Sequence, residues 1–248
     1  PLSICEKFLL VGDHHQLPPL VQCSEAKNKG MDVSLFAKLA NAHGETVLTS
    51  LKIQYRMNSK IMSLSNSLIY NGIMQSGFSD KPFRLPYSTK TRIEIPKWIR
   101  DAIDDDFPVV FLNTDILLNG NNESNESIPT NTPNYIESSI IQSITYYLLK
   151  AGLQESSLGI ITPYQSQLRF IREQLYNDIK INELSVDHIG NIKKKQILID
   201  TIDRFQGLDR DIVIFGMTPY MNKKLIFDEH RRLNVALTRA KHKLIMIA

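Results

Sequence analysis

The chain has 248 residues, of which 42% are hydrophobic and 22% are charged, as is common in globular proteins. Its 29 Lys and Arg exceed its 26 Asp and Glu by three, a balance that permits a nucleic-acid partner without requiring one. Cys5 and Cys23 are too few for a disulfide framework or a four-ligand zinc site, and no run of about 18 apolar residues predicts a membrane span.

Short apolar runs alternate with amphipathic stretches along the chain, a pattern typical of a parallel sheet covered on both faces. We therefore predict an α/β fold with strands at residues 7–12, 109–113, 158–162, 197–201, 211–216 and 244–247. Polar residues follow several of these strands, at the sheet edge where ligands bind in open parallel sheets.

Three helices are predicted from apolar spacing. The first opens at Thr132-Pro133 and stops at Gly152, with an inward face of Ile136, Ile140, Ile144 and Leu148. The second covers residues 165–179, with Leu168, Ile171, Leu175 and Ile179 facing inward. The third lies in RRLNVALTRAK, where an apolar stripe is formed by Leu233, Ala236, Leu237 and Ala240, and Arg239 is expected near the helix end, projecting off that stripe. The polar stretches 119–134 and 193–195 are expected to be surface segments.

The segments VGDHHQLPP and QYRM each contain residues that can bind a phosphate group or a nucleotide. Asp13 and Gln16 follow the first predicted strand, where a carboxylate and an amide can sense a γ-phosphate, magnesium-bound water or attacking water. Tyr55 can stack on a base and Arg56 can reach a phosphate. A polar turn, a buried tyrosine and a surface arginine are the alternatives.

Three later segments carry residues that can contact a nucleic-acid backbone or a phosphate group. TPYQSQ carries Thr162, Tyr164, Gln165 and Gln167, whose hydroxyl, aromatic and amide groups suit single-stranded nucleic acid. The alternative is simple capping of the helix. In DTIDRFQGLD, Gly207 permits close backbone approach to a ligand, and Asp209 is a candidate acceptor for a ribose hydroxyl. The guanidinium of Arg239 is planar and always charged, so it can bind a phosphate group. The alternative is a basic residue at the end of a helix, where its charge interacts favourably with the negative end of the helix dipole.

Taken in chain order, five segments resemble motifs of the superfamily 1 helicases. GDHHQLPP resembles motif III, QYRM motif IV, TPYQSQ motif IVa, DTIDRFQGLD motif V and RRLNVALTRAK motif VI. Within that superfamily the chain resembles the branch that contains the RNA helicase of nonsense-mediated decay. It is most similar there to the eukaryotic DNA replication helicase/nuclease family, through QYRMNSKIMSLSN, VFLNTD and RRLNVALTRAKHKLI. Asp209, where many relatives have Glu, agrees with that family.

The resemblance implies a role for each motif residue. Gln16 couples γ-phosphate or water to the domain interface, with Asp13 beside it, and Arg56 and Arg239 act as arginine fingers. Tyr55 stacks near the adenine, Gly207 approaches the γ-phosphate and Asp209 contacts the ribose. The residues expected near the nucleic-acid strand are Thr162, Tyr164, Thr201, Asp203 and Arg204.

The resemblance also implies a RecA-like P-loop NTPase fold, with residues 1–50 ending the first RecA-like domain and 51–248 forming the second. The chain contains no GxxxxGK[ST] phosphate loop, and the resemblance places both that loop and the acidic Walker B pair before Pro1. The chain also begins without Met and ends within KLIMIA. We therefore expect it to be part of a longer protein and to be inactive alone. ATP and Mg²⁺ are the implied cofactors, with most of their ligands upstream. An iron–sulfur cluster is implied only for the longer protein.

The implied activity is an ATP-dependent 5′-to-3′ DNA helicase of replication and repair. The implied partners are single-stranded or flap DNA, a single-strand-binding protein and other replication and repair factors, in the nucleus and also in mitochondria. Two alternatives stay open at this point: an RNA helicase of the decay type, because strand contacts fall mainly on the backbone, and a non-catalytic nucleic-acid scaffold.

Overall fold

The computed structural model of the chain describes residues 4–80, 83–86, 94–114, 133–178, 197–218 and 230–248. The chain divides into two compact units, Pro1–Lys52 and Ile53–Ala248. This division lies two residues beyond the predicted boundary. The assignment of the units to a first and a second RecA-like domain stays a prediction.

The described part of the first unit contains two short helices, α1 (Ser24–Asn28) and α2 (Leu35–His43), followed by a 3₁₀ turn at Gly44–Thr46. Helix α2 begins where the Ser34 hydroxyl accepts a hydrogen bond from the backbone N–H of Ala37 at 3.1 Å. The strand predicted at residues 7–12 is wrong, because this stretch forms no ladder with any described residue. Leu9 and Val11 are each 87% exposed.

The second unit is built around five parallel strands among the described residues, in the order β3-β7-β6-β4-β5. Their bounds are β3 Val109–Leu112, β4 Leu158–Thr162, β5 Leu198–Thr201, β6 Arg210–Gly216 and β7 Ala240–Ile247. A separate parallel pair joins β1 (Ile53–Gln54) to β2 (Gln75–Ser76). The predicted α/β class with a parallel sheet is confirmed.

Six helices accompany these strands in the described part of the second unit: α3 Ser59–Leu68, α4 Lys97–Ile103, α5 Tyr135–Lys150, α6 Gln165–Asn177, α7 Ile202–Phe205 and α8 His230–Leu237. Within the described ranges, no helix is both long and apolar enough to span a bilayer. The main core lies between the sheet and α4, α5 and α6, where Ile, Leu and Ala side chains are almost fully buried.

Helix α5 begins two residues later than the predicted Pro133, because the side chain of Asn134 accepts a hydrogen bond from the N–H of Glu137 at 3.0 Å. Ile144 and Leu148 are buried as predicted, whereas Ile136 and Ile140 are only half-buried. The predicted inward residues of α6 are buried, apart from Ile179, which lies outside the described residues, as do residues 119–132 and 193–195.

The prediction for the arginine helix is wrong at its end. Helix α8 stops at Leu237, and Ala240 already belongs to β7, so Arg239 lies in the connection between them. Apolar spacing alone does not separate a helix end from a buried strand, and here the pairing of Arg210 with Ala240 places Ala240 in the sheet.

Candidate functional site

Charged side chains from three segments meet where β6 and β7 begin. We call them the cationic cluster: Arg56, Asp209, Arg239 and Lys241. Asp209 directly precedes β6, and one of its carboxylate oxygens lies 2.7 Å from Lys241 Nζ while the other lies 3.5 Å from Arg56 Nε. The cluster thus lies at the N-terminal edge of the sheet, opposite the edge that the sequence favoured for ligands.

The segment that carries Arg56 is held in place by the Gln54 side chain, which sequence reasoning missed. Its Oε1 accepts hydrogen bonds from the N–H groups of Arg56 and Met57 at 2.8 and 2.7 Å, and its Nε2 donates to the Met57 carbonyl at 2.8 Å. Gln54 immediately precedes Tyr55 in QYRM, so its position in the motif was a usable signal.

Tyr55 is 70% exposed, and its ring lies directly over the backbone of Gly77. A Cβ at residue 77 would lie 2.2 Å from Tyr55 Cε1, so only glycine permits this close approach. An exposed ring supported on one face has its other face available for stacking. This geometry suits the predicted adenine contact.

Arg239 is only 2% exposed, in contrast to the projecting side chain that we predicted. Its Nε donates to the Val235 carbonyl at 2.8 Å, and its two Nη atoms donate to Thr238 Oγ1 at 2.8 Å and to the Leu208 carbonyl at 3.4 Å. The guanidinium therefore fastens the end of α8 to the turn that leads into β6.

Gly207 belongs to that same turn and is exposed, with a φ of +84°. A left-handed backbone angle is rarely adopted by residues with a side chain, which accounts for glycine at this position. The exposed backbone and the half-exposed cations of Arg56 and Lys241 fit an anionic ligand such as a phosphate chain.

Asp13 and Gln16 lie in the first unit and form a local turn. The Asp13 carboxylate accepts hydrogen bonds from the His15 N–H at 2.9 Å and from Gln16 Nε2 at 3.1 Å. Both side chains are half-buried. No group of three or more His, Cys, Asp or Glu in the described ranges of the chain could hold a metal ion.

The predicted strand-binding residues lie at the opposite, C-terminal edge of the sheet. Thr162 ends β4 and pairs in register with Thr201, which ends β5, and both are buried. Tyr164 directly precedes α6 and is half-buried. Asp203 and Arg204 lie exposed on α7, where Asp203 forms an ion pair with Arg232 of α8. The proposed contacts of these residues stay predictions.

A buried polar group that we call the glutamate network lies at this C-terminal edge and was not predicted. Glu137, on α5, is fully buried, and its carboxylate accepts hydrogen bonds from the N–H and hydroxyl of Thr218 and from Gln167 Nε2. Gln167 also accepts from the Asn134 N–H at 2.8 Å. The Asn-x-x-Glu capping pattern at 134–137 was the available signal, although Glu137 does not close the cap.

Burial perturbs three of the described titratable groups of the second unit, and it raises the pKa of one of them, Asp105. Removal from water raises the pKa of Glu137 to about 7, against the opposing effect of its hydrogen bonds from Thr218 and Gln167. Burial lowers the pKa of Lys243 to about 8, and Asp105 and Asp104 oppose that change. Lys243 Nζ donates to the carbonyls of Asp104 and Phe107 at 2.7 and 2.6 Å, which fastens the end of α4 to β7.

The five-stranded parallel sheet is consistent with a RecA-like helicase domain. Residues 31–248 match the family model described as "AAA domain". The chain belongs to that family, as the C-terminal region of a superfamily 1 helicase.

Three similar proteins carry the name of a replication enzyme. The chain is 36% identical over 260 residues to "DNA replication ATP-dependent helicase/nuclease DNA2" of Xenopus laevis, covering 100% of this chain and 23% of that protein. It is 36% identical over 263 residues to the Homo sapiens protein of the same name, covering 100% of this chain and 23% of that protein. It is 36% identical over 262 residues to the Schizosaccharomyces pombe protein, covering 99% of this chain and 17% of that protein. The chain thus spans about a fifth of the length of its relatives.

One solved structure, described as the C-terminal domain of a possible DNA helicase from Lactobacillus plantarum, has 14% sequence identity and a TM-score of 0.42. The match covers 79% of this chain and 87% of that one. The predicted helicase family is confirmed by the family model and the relatives.

Proposed function

We propose that this chain is the C-terminal motor segment of a longer ATP-dependent 5′-to-3′ DNA helicase/nuclease of replication and repair. In this proposal it supplies arginine fingers and strand contacts, whereas the phosphate loop and most Mg²⁺ ligands lie upstream. Its partners would be single-stranded or flap DNA, a single-strand-binding protein and other replication factors, in the nucleus and also in mitochondria. Alone, the chain would not hydrolyse ATP.

The observation that supports this proposal best is the convergence of Arg56, Gly207 and Asp209 at one sheet edge, within a chain that aligns over its whole length with DNA helicase/nucleases. Arg56 is distant in sequence from Gly207 and Asp209, and a turn with exposed backbone beside half-exposed cations suits phosphate recognition. The three relatives are each named as DNA replication helicase/nucleases, and we therefore favour DNA as the nucleic acid.

The proposed mechanism assigns Arg56 to the charge that develops on the transferring γ-phosphoryl group. A fixed guanidinium stabilises this charge without reorganising at the moment of reaction. Arg239 would join it after a side-chain rearrangement that exchanges its hydrogen bonds with Leu208 and Thr238 for phosphate oxygens. Gln16 and Asp13, in the first unit, would sense the γ-phosphate, and Tyr55 would stack on the adenine.

Loss of the γ-phosphate would remove the charge that attracts the arginines, and their release would let the protein advance along one strand. At the other sheet edge, Tyr164, Asp203 and Arg204 would contact that strand. Thr162 and Thr201 are buried and would support the contact through the backbone rather than through their hydroxyls.

The test is ATP hydrolysis by the complete protein, with no polynucleotide, single-stranded DNA or single-stranded RNA. We expect DNA-selective stimulation, and Arg56→Ala should lower turnover by on the order of 10³- to 10⁵-fold. Arg84→Ala is the matched control, because Arg84 is also exposed and paired with a carboxylate, Asp106. Duplexes with a single 5′ or 3′ overhang would establish the polarity of unwinding.

Each alternative function has its own outcome in this assay. Stimulation by RNA that equals or exceeds stimulation by DNA would indicate the decay-type RNA helicase. Absence of hydrolysis would favour the non-catalytic scaffold. Normal turnover by Arg56→Ala in a DNA-stimulated enzyme would remove Arg56 from the catalytic machinery.

A further inference from the structure

The glutamate network joins the starts of α5 and α6 to the end of β6. Gln167, in the first turn of α6, donates from Nε2 to Glu137 Oε1 at 2.9 Å and to the Asn134 carbonyl at 3.1 Å. Its Oε1 accepts from the Asn134 N–H at 2.8 Å, so its side chain meets both backbone groups of the residue before α5. Glu137 in turn accepts from the N–H and the hydroxyl of Thr218, two residues beyond β6. One pair of side chains thus holds three elements at the C-terminal edge of the sheet.

The residues at the end of β6 are fitted to the Glu137 carboxylate. Thr218 has a φ of +52°, which is unusual for a residue branched at Cβ and persists only where surrounding contacts impose it. Its two hydrogen bonds to Glu137 supply such contacts. A Cβ at residue 216 would lie 2.6 Å from Glu137 Oε1, so the glycine there leaves room for the carboxylate. Glu137 is therefore held from the β6 side, and through Gln167 it holds α6.

The start of α6 carries one buried and one partly exposed residue of TPYQSQ. Gln167 is only 1% exposed, so it does not reach a strand on the surface, although its place in the motif suggested a direct contact. Tyr164 is half-buried, and its side chain does not cap α6, in contrast to the capping alternative. The Leu168 N–H donates to the Tyr164 carbonyl at 2.9 Å, which places Tyr164 on the first turn of the helix. The position of Tyr164 therefore follows the start of α6, which Gln167 holds against α5.

We propose that Glu137 and Gln167 are positioning residues for the nucleic-acid strand, which hold the start of α6 so that Tyr164 is presented to the strand. The inference deepens the proposed function and rests on it, because it concerns the strand contacts of that function. Stacking of a base on an aromatic ring is strongest where the ring is held in one place. A displaced start of α6 should therefore weaken binding of a single strand, whereas the cationic cluster at the opposite edge of the sheet should keep its geometry.

The experiment measures the concentration of single-stranded DNA that half-saturates ATP hydrolysis by the complete protein, together with kcat at saturating DNA. In Glu137→Gln, the new NH₂ group faces Gln167 Nε2 when the amide oxygen accepts from Thr218, so the link to α6 is lost. We expect the half-saturating concentration to rise by roughly 5- to 20-fold, within the range for loss of one stacked base, with kcat little changed. Gln167→Met, which removes the same link from the other side, should have the same effect.

Two further variants separate positioning from loss of stability. Lys243→Met is the matched control, because Lys243 is also buried and its two hydrogen bonds fasten α4 to β7 rather than α5 to α6. It should leave the half-saturating concentration unchanged, since a less stable protein loses active molecules and not affinity. In a Tyr164→Leu background, Glu137→Gln should have a much smaller effect, because the residue that it positions is absent. Urea unfolding establishes which variants are folded, and Glu137→Gln decides the test if Gln167→Met is not.

Three results would overturn the inference. The first is a wild-type half-saturating concentration in Glu137→Gln, and the second is an effect of Glu137→Gln that is equal with and without Tyr164. The third is an equally large shift in Lys243→Met, because loss of stability would then explain the change. A wild-type protein without DNA-stimulated hydrolysis would instead overturn the proposed function itself.

Discussion

The glutamate network predicts an unusual dependence of stability on pH. Glu137 has a pKa of about 7 in the folded chain, against an ordinary value of 4.5. The folded state therefore binds the proton more tightly than the unfolded state. The stabilisation is complete below pH 4.5 and is lost as pH rises through 7, because ionisation of the buried carboxyl is resisted.

The size of this effect follows from the two pKa values. Each pH unit between 4.5 and about 7 lowers the free energy of unfolding by about 1.4 kcal/mol, or roughly 3 kcal/mol in all. The carboxyl is fully buried, so solvent screening reduces this value little. A loss of this size is a large part of the stability of an ordinary domain.

Glu137→Gln removes the titration and keeps the shape of the side chain. The amide can present its oxygen to the Thr218 N–H, but its NH₂ group then faces Gln167 Nε2, and this contact lowers stability equally at every pH. The pH dependence, rather than the absolute stability, is therefore diagnostic. Urea unfolding of the chain between pH 5 and pH 8 should show a flatter profile for Glu137→Gln than for wild type.

The matched control is Glu173→Gln, which changes an exposed carboxylate on α6 and should keep the wild-type profile. If Glu137→Gln unfolds with the same pH dependence as wild type, the buried carboxyl does not titrate in this range and our reasoning about the network is wrong.

Three further predictions concern single residues. Arg239→Met should lower the free energy of unfolding by about 2–4 kcal/mol, measured by urea unfolding, because it removes the buried donors of three hydrogen bonds. Lys243 has a folded pKa of about 8 against 10.5, so wild-type stability should rise between these pH values, and thermal unfolding of Lys243→Met should lack that rise. Gly77→Ala should displace the Tyr55 ring, which the new Cβ would meet at 2.2 Å, and should raise the KM for ATP of the complete protein with kcat unchanged.

The buried strands could be predicted well from the sequence, because their hydrogen-bonded neighbours lie within the same chain. Strand β4 was predicted at its observed bounds, since a fully buried parallel strand is a continuous apolar run. The stretch at 7–12 is equally apolar, yet no described segment pairs with it. An apolar run therefore predicts a strand only where a partner strand is present.

The candidate site was harder to predict than the sheet. Motif resemblance selected Arg56, Asp209 and Arg239, but sequence spacing does not indicate which side chain is buried or which charges pair. The contact between Arg56 and Asp209 joins residues far apart in sequence, and the burial of Arg239 depends on the turn at Leu208. The glutamate network likewise requires α5, α6 and the end of β6 together.

Strand β6 directly connects the two edges of the sheet. Asp209 precedes its first residue, and Thr218, bonded to Glu137, lies two residues beyond its last. Seven extended residues span about 23 Å, and β4 and β7 brace the strand on both sides. The register of β6 with β7 shifts between Arg210 and Ile212, so the strand is irregular near Asp209 and regular beyond it. We therefore expect a displacement at the Asp209 end to be partly absorbed there, and the remainder to reach Thr218 through β6 itself.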